Sequence, residues 1–211
     1  MPACPFVPRI VRVELHDAFR EAAARDGIVL GPRSFDWLCE QGHVGLERVA
    51  KARRDPAIVA PVKAALDRLA AIYARLNGDE SVLHAARENL LLTAELVHEP
   101  TGTVIEIDGP EHFTSFRLAA LELYPPGFDV AEQAALCREW SARTDRLERG
   151  LAAKGFGFGG RPRERAYHDA LFDLAVPAMG HPPVIRIAAT DGDGAGAYAR
   201  HAVALRPLSG S

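Results

Sequence analysis

Thr93-Ala94-Glu95-Leu96-Val97-His98-Glu99-Pro100-Thr101-Gly102-Thr103-Val104-Ile105-Glu106-Ile107-Asp108 is the stretch whose reading decides the fold. Two short, alternating, β-branched runs, Thr93 to His98 and Thr103 to Asp108, flank a Glu-Pro-Thr-Gly tetrapeptide, which is the pattern of a β-hairpin. Proline in the second turn position and glycine in the fourth suit a type I turn. With Pro100 and Thr101 as the loop, Glu99 faces Gly102 and Glu95 comes to lie opposite Glu106. Alternation then gives one face to Glu95, Val97, Val104, Glu106 and Asp108 and the other to Leu96, Ile105 and Ile107. The apolar face is expected to pack on helices, and the acidic face to look into a cleft.

Like charges directly opposed on a hairpin are destabilising, and Asp108 adds a third carboxylate to the pair. A divalent cation would neutralise them, because Mg²⁺ and Mn²⁺ are hard ions that take carboxylate oxygens, water and phosphate. A shared proton or a partner arginine would serve as well. Gly109, His112 and Arg117 follow at once.

Val104-Ile105-Glu106-Ile107-Asp108-Gly109-Pro110-Glu111-His112-Phe113 resembles the E-x-D-G-x-x-H-F signature of the Vsr-like branch of the PD-(D/E)xK restriction-endonuclease superfamily. Glu95 stands where that branch carries its upstream acid. Arg163 to Asp173 and Val184-Ile185-Arg186-Ile187 resemble its later helix and last strand. The resemblance spans Leu83 to Ala188. It implies an α/β (α+β) fold, with a restriction-endonuclease-like core of a small mixed sheet flanked by helices over residues 81–211. A helical N-terminal region, residues 1–80, would pack on that core. The implied reaction is metal-assisted phosphodiester hydrolysis, with Glu95, Glu106 and Asp108 as ligands of Mg²⁺ or Mn²⁺ and Glu106, Asp108 and His112 as catalytic residues. Where the family has a lysine two residues after Glu106, this chain has Asp108, so the positive charge would come from His112 or Arg117. The implied partner is nucleic acid, with DNA the expected form. The alternative is a catalytically inactive protein that keeps the nuclease fold as a binding module.

The rest of the chain reads as helices and turns. From His16 to Leu92 apolar residues return at three- and four-residue steps, so this range is expected to be helical throughout. Asp55-Pro56 is a helix start and Asn77-Gly78 a stop. Asp79 or Ser81 opens a further helix that includes Glu88, a possible extra ligand. Helices are expected over Thr114 to Leu123, Val130 to Lys154 and Tyr167 to Met179, a buried strand over Pro183 to Ala188, and a last helix after Asp193. The glycine-rich Lys154 to Arg165 is expected to be a mobile loop whose Arg161, Arg163 and Arg165, with Arg117, hold nucleic acid. Lys51, Arg53 and Arg54 form a second basic cluster.

A formal net charge of −3 over 211 residues excludes a global pull toward polyanions, so any nucleic-acid contact must be local. The absence of a long apolar run or a signal-peptide pattern makes the cytoplasm the default compartment. Cys4, Cys39 and Cys137 are too widely spaced for a zinc site and are read as ordinary thiols.

Overall fold

The computed structural model describes residues 9–85, 90–147, 150–190 and 192–206. Glu88 and Cys4 lie outside the described residues. The fold is mixed α+β: among the described residues there are eight α-helices and one four-stranded mixed sheet, whose strands lie side by side in chain order from β1 (Gly31–Cys39) onward. β2 (Leu91–His98) and β3 (Thr103–Asp108) pair antiparallel, and β3 and β4 (Ile185–Ala188) pair parallel. No helix among the described residues is long and apolar enough to cross a membrane.

The hairpin has the register that its turn chemistry predicts. Leu96 pairs with Ile105, Val97 with Val104 and His98 with Thr103. Gly102 takes φ +69°, a left-handed conformation that glycine adopts without a Cβ clash, and its N–H closes the turn on the His98 and Glu99 carbonyls at 2.8 and 3.3 Å.

The chain divides into two compact units, residues 1–33, 94–110 and 184–211 in one and residues 34–93 and 111–183 in the other. The first unit contains the hairpin. Leu96, Ile105 and Ile107 enter a single core cluster with Leu15 and Phe19 of α1 (Arg9–Arg25), Ile187 of β4, and Ala197 and Tyr198 of α8 (Gly194–His201). Each aliphatic side chain sealed there contributes roughly 1.5–3 kcal/mol. α8 starts at the expected place: Asp193 caps it by accepting from Gly196 N at 2.8 Å. A Cβ on Gly194 would collide with the α1 backbone, so the glycine permits the close approach of the two helices. Val97 and Val104, on the acidic face, are also buried. The expectation that this face looks into an open cleft is therefore corrected: packing seals its middle.

The second unit is mostly helical. Its helices are α2 (Gly42–Arg53), α3 (Pro56–Arg75), α4 (Glu80–Ala85), α5 (Ser115–Leu121), α6 (Ala131–Leu147) and α7 (Arg161–Ala178). α7 is the central element, packed on both α3 and α5. Asp55 caps α3 through Ala57 N at 2.9 Å, and Asn77 turns left-handed just beyond its end, as the sequence signals require. Around Tyr167 of α7, Tyr73 packs edge-on at 4.7 Å between ring centres, while His43 N and Nδ1 hydrogen-bond to the Tyr167 hydroxyl at 2.9 and 2.7 Å.

Three further expectations change. Gly31–Cys39 is strand β1, not helix, because Phe35, Trp37 and Cys39 are buried at two-residue spacing while Ser34 and Asp36 are exposed. The helix read over Val130 to Lys154 ends at Leu147 among the described residues. Arg161, Arg163 and Arg165 belong to the first turns of α7 rather than to a mobile loop, since Pro162 at the helix start presets φ and gives up an N–H that has no helical partner there. Cys39 and Cys137 are buried free thiols, and burial pushes the Cys39 pKa up.

Candidate functional site

The open end of the hairpin carries three carboxylates on backbone that the rest of the first unit holds rigidly. Beyond the Leu96–Ile105 pair, side chains take over bonds that main chain would make. Glu95 N donates to Glu106 Oε1 at 3.1 Å, and Ile107 N donates to Glu95 Oε2 at 3.1 Å. The two opposed carboxylates are thus threaded into the gap between β2 and β3, each accepting a main-chain N–H of the facing strand. That arrangement lowers the repulsion expected of the pair, because an N–H dipole aimed at an ionised oxygen stabilises the charge.

Arginines complete the neutralisation. Arg12 of α1 pairs with Glu95. Arg186 of β4 donates from Nη1 to Asp108 Oδ1 at 2.7 Å, and the two side chains are only 7% and 4% exposed. The parallel register sets Arg186 level with Glu106, one step diagonal to Asp108. A buried carboxylate without such a partner would cost several kcal/mol, so Asp108 and Arg186 require one another. Of the three ways of stabilising the acidic cluster, the arginine partner is the one the geometry displays.

His112 and Arg117 fall in the second unit. His112 ends a 3-10 turn, Pro110–His112, and its Nδ1 lies 3.0 Å from Asp169 Oδ2 of α7. Asp169 therefore fixes the ring with Nδ1 protonated, which assigns the lone pair of the neutral imidazole to Nε2. Arg117 of α5 is 2% exposed. It donates to Asp173 Oδ2 at 2.6 Å, approaches Asp169 at 3.8 Å and donates to the Tyr124 hydroxyl at 3.2 Å. Tyr124 in turn donates to Asp173 at 2.7 Å. Asp169 and Asp173 sit one helical turn apart on α7, so one face of that helix presents both to α5.

The α7 arginines differ in their engagements. Arg161 pairs with Glu164 at 2.6 Å and is half exposed. Arg163 lies over the Phe116 ring at 5.2 Å, and Arg165 donates to the Glu111 carbonyl at 3.0 Å.

The structure thus brings Glu95, Glu106 and Asp108 together in one unit and puts His112, Arg117 and the α7 arginines in the other. Sequence reasoning missed Arg12, Arg186 and Asp169 as site residues. Arg186 carried a signal, an arginine flanked by two isoleucines on a short buried strand, where a charge is tolerated only with a partner. Asp169 and Asp173 gave a weaker one, two carboxylates four residues apart on a helix rich in Ala, Leu and Val. No family model matches the chain. No curated protein and no solved structure matches it either.

Proposed function

We propose that the protein is a divalent-cation-dependent nuclease with a restriction-endonuclease-like core. The observation that carries this reading is the interlocked Glu95–Glu106 pair with Asp108 beside it on β3. Three carboxylates on adjacent rigid strands form a hard oxygen donor set of the kind Mg²⁺ and Mn²⁺ take. Each carboxylate has about four lone-pair directions, so accepting N–H or guanidinium bonds is compatible with ligating a cation as well. The mixed sheet with its parallel β3–β4 pair supports the same fold reading.

Glu95, Glu106 and Asp108 would hold the ion, which supplies Lewis-acid polarisation of a phosphoryl oxygen and a more acidic bound water. Arg186 pairs with Asp108 and brings a permanent positive charge to the β3–β4 edge, a place where the lysine-less motif has none of its own. Arg12 pairs with Glu95 likewise. Within the second unit, Asp169 orients His112 and fixes its tautomer.

A second reading, a binding module that keeps the fold without catalysis, draws support from the same arginines, because each also makes the carboxylate cluster stable without a cation. Calorimetry with Mn²⁺ separates the two. The nuclease reading expects saturable binding to wild type that Glu106→Ala loses, together with Mn²⁺-dependent cleavage of plasmid DNA or RNA that both Glu106→Ala and Asp108→Asn abolish. Absence of both binding and cleavage in the wild type would overturn the nuclease reading in favour of the binding module.

A further inference from the structure

We propose that the helical unit carries a binding pocket for a small apolar monocarboxylate, formed by α3, the connection between α5 and α6, and the end of α7. The pocket is an open hollow of about 350 Å³, at the low end of the range of small-ligand sites. Buried Ala65, Leu174 and Ala178 give it an apolar base, and the small alanine side chains are the reason the space exists.

Its walls are preformed. Pro61, Pro125 and Pro177 line it from three different elements, and each ring fixes its own φ, so a ligand would order little backbone on entry. Phe128 adds an aromatic wall and is itself held edge-on against Tyr124 at 5.6 Å.

Charge selects the ligand. Among the described residues, Arg68 is the only charged side chain of the lining, and no acidic residue joins it. Its guanidinium makes no hydrogen bond or ion pair with any described residue; the neighbouring Asp67 is taken by Lys63 at 3.1 Å. One planar fork of donors above an apolar hollow matches one carboxylate attached to an aliphatic or aromatic body. A phosphate dianion would leave one charge uncompensated, and an ammonium head would be repelled. The groove between α2 and α3 offers more room but mixes both charge signs along its rim, with Glu47, Asp67 and Glu80 beside Lys51 and Lys63, and selects no such ligand.

The test is titration calorimetry of the full chain with octanoate, octanamide and octylamine, on wild type, Arg68→Gln and Ala64→Trp. Ala64 and Arg68 are both exposed lining residues, so neither change disturbs the core. Octanoate is expected to bind saturably to wild type. Octanamide, and octanoate on Arg68→Gln, should each bind about tenfold more weakly through loss of one charge-assisted contact. Ala64→Trp should fill the pocket and abolish binding, with an unchanged circular-dichroism melting curve. Equal affinity for octanoate and octanamide, no effect of Arg68→Gln, or no saturable octanoate binding would each overturn the proposal. The outcome is independent of nuclease activity.

Discussion

Ile105 and Glu106 are chain neighbours with opposite surroundings, and their substitutions should separate accordingly. Ile105 is completely buried in the cluster with α1 and α8, so Ile105→Asp would place an unpaired charge among aliphatic groups and is expected to leave the chain unfolded by circular dichroism. Glu106→Ala removes the acceptor of Glu95 N but also relieves the repulsion between the paired carboxylates. A net loss of about 1 kcal/mol or less in urea unfolding is expected. A loss of several kcal/mol would instead assign Glu106 to a structural ion pair. Arg117 belongs to the severe class. It is enclosed with Asp173, Tyr124 and Asp169, so Arg117→Met strands buried carboxylates and should cost about 3–5 kcal/mol by the same measurement. A cost under about 1 kcal/mol would mean that water reaches Asp173.

Among the elements, α7 concentrates the most chemistry. One of its faces turns Asp169 and Asp173 to His112 and Arg117, and its first turns carry Arg161, Arg163 and Arg165. Cations at a helix N-terminus oppose the macrodipole, and Glu164 offsets this by sitting in the same turn and pairing with Arg161. Under the proposed function, such a cluster brings phosphate toward a protein of negative net charge. Replacing all three arginines by alanine should weaken nucleic-acid binding and flatten its salt dependence, since each phosphate contact contributes roughly 0.7 to 0.9 to the slope of log affinity against log salt. Binding measured from low to moderate salt checks this. An unchanged slope would move the role to Lys51, Arg53 and Arg54.

For the whole molecule, buried histidines set the response to acid. His43, His98 and His168 all have pKa values lowered from the usual 6.5, chiefly because burial penalises the imidazolium. The unfolded chain therefore takes up protons near pH 6.5 that the folded chain resists. Their contribution is fully present above that pH and is lost as pH falls below it toward the folded values. Thermal melting should drop between pH 7.5 and 5.5, a window in which ordinary carboxylates do not titrate. His168→Asn should make the drop shallower. A melting temperature that stays level across this window would show that these histidines stay as protonatable in the fold as in the unfolded chain.

The hairpin was legible in the sequence because its determinants are local. Alternation, turn residues and a caps-and-stops grammar act over a few residues, so the register of β2 and β3, the start and end of α3, and the presence of a helix after Asp193 all read directly from neighbouring letters. β1 was misread because its Phe35, Trp37 and Cys39 periodicity is only a few residues long and lies inside a range rich in helix formers. The partners of the acidic residues were beyond reach for a different reason. Arg12 meets Glu95 from 83 positions away, Arg186 meets Asp108 from 78, and Asp169 meets His112 from 57. Nothing local distinguishes those arginines and that aspartate from others of their kind. Local sequence determined where charge stands on the strand; only the tertiary packing, which removes water and makes each buried charge find an opposite one, decided what that charge faces.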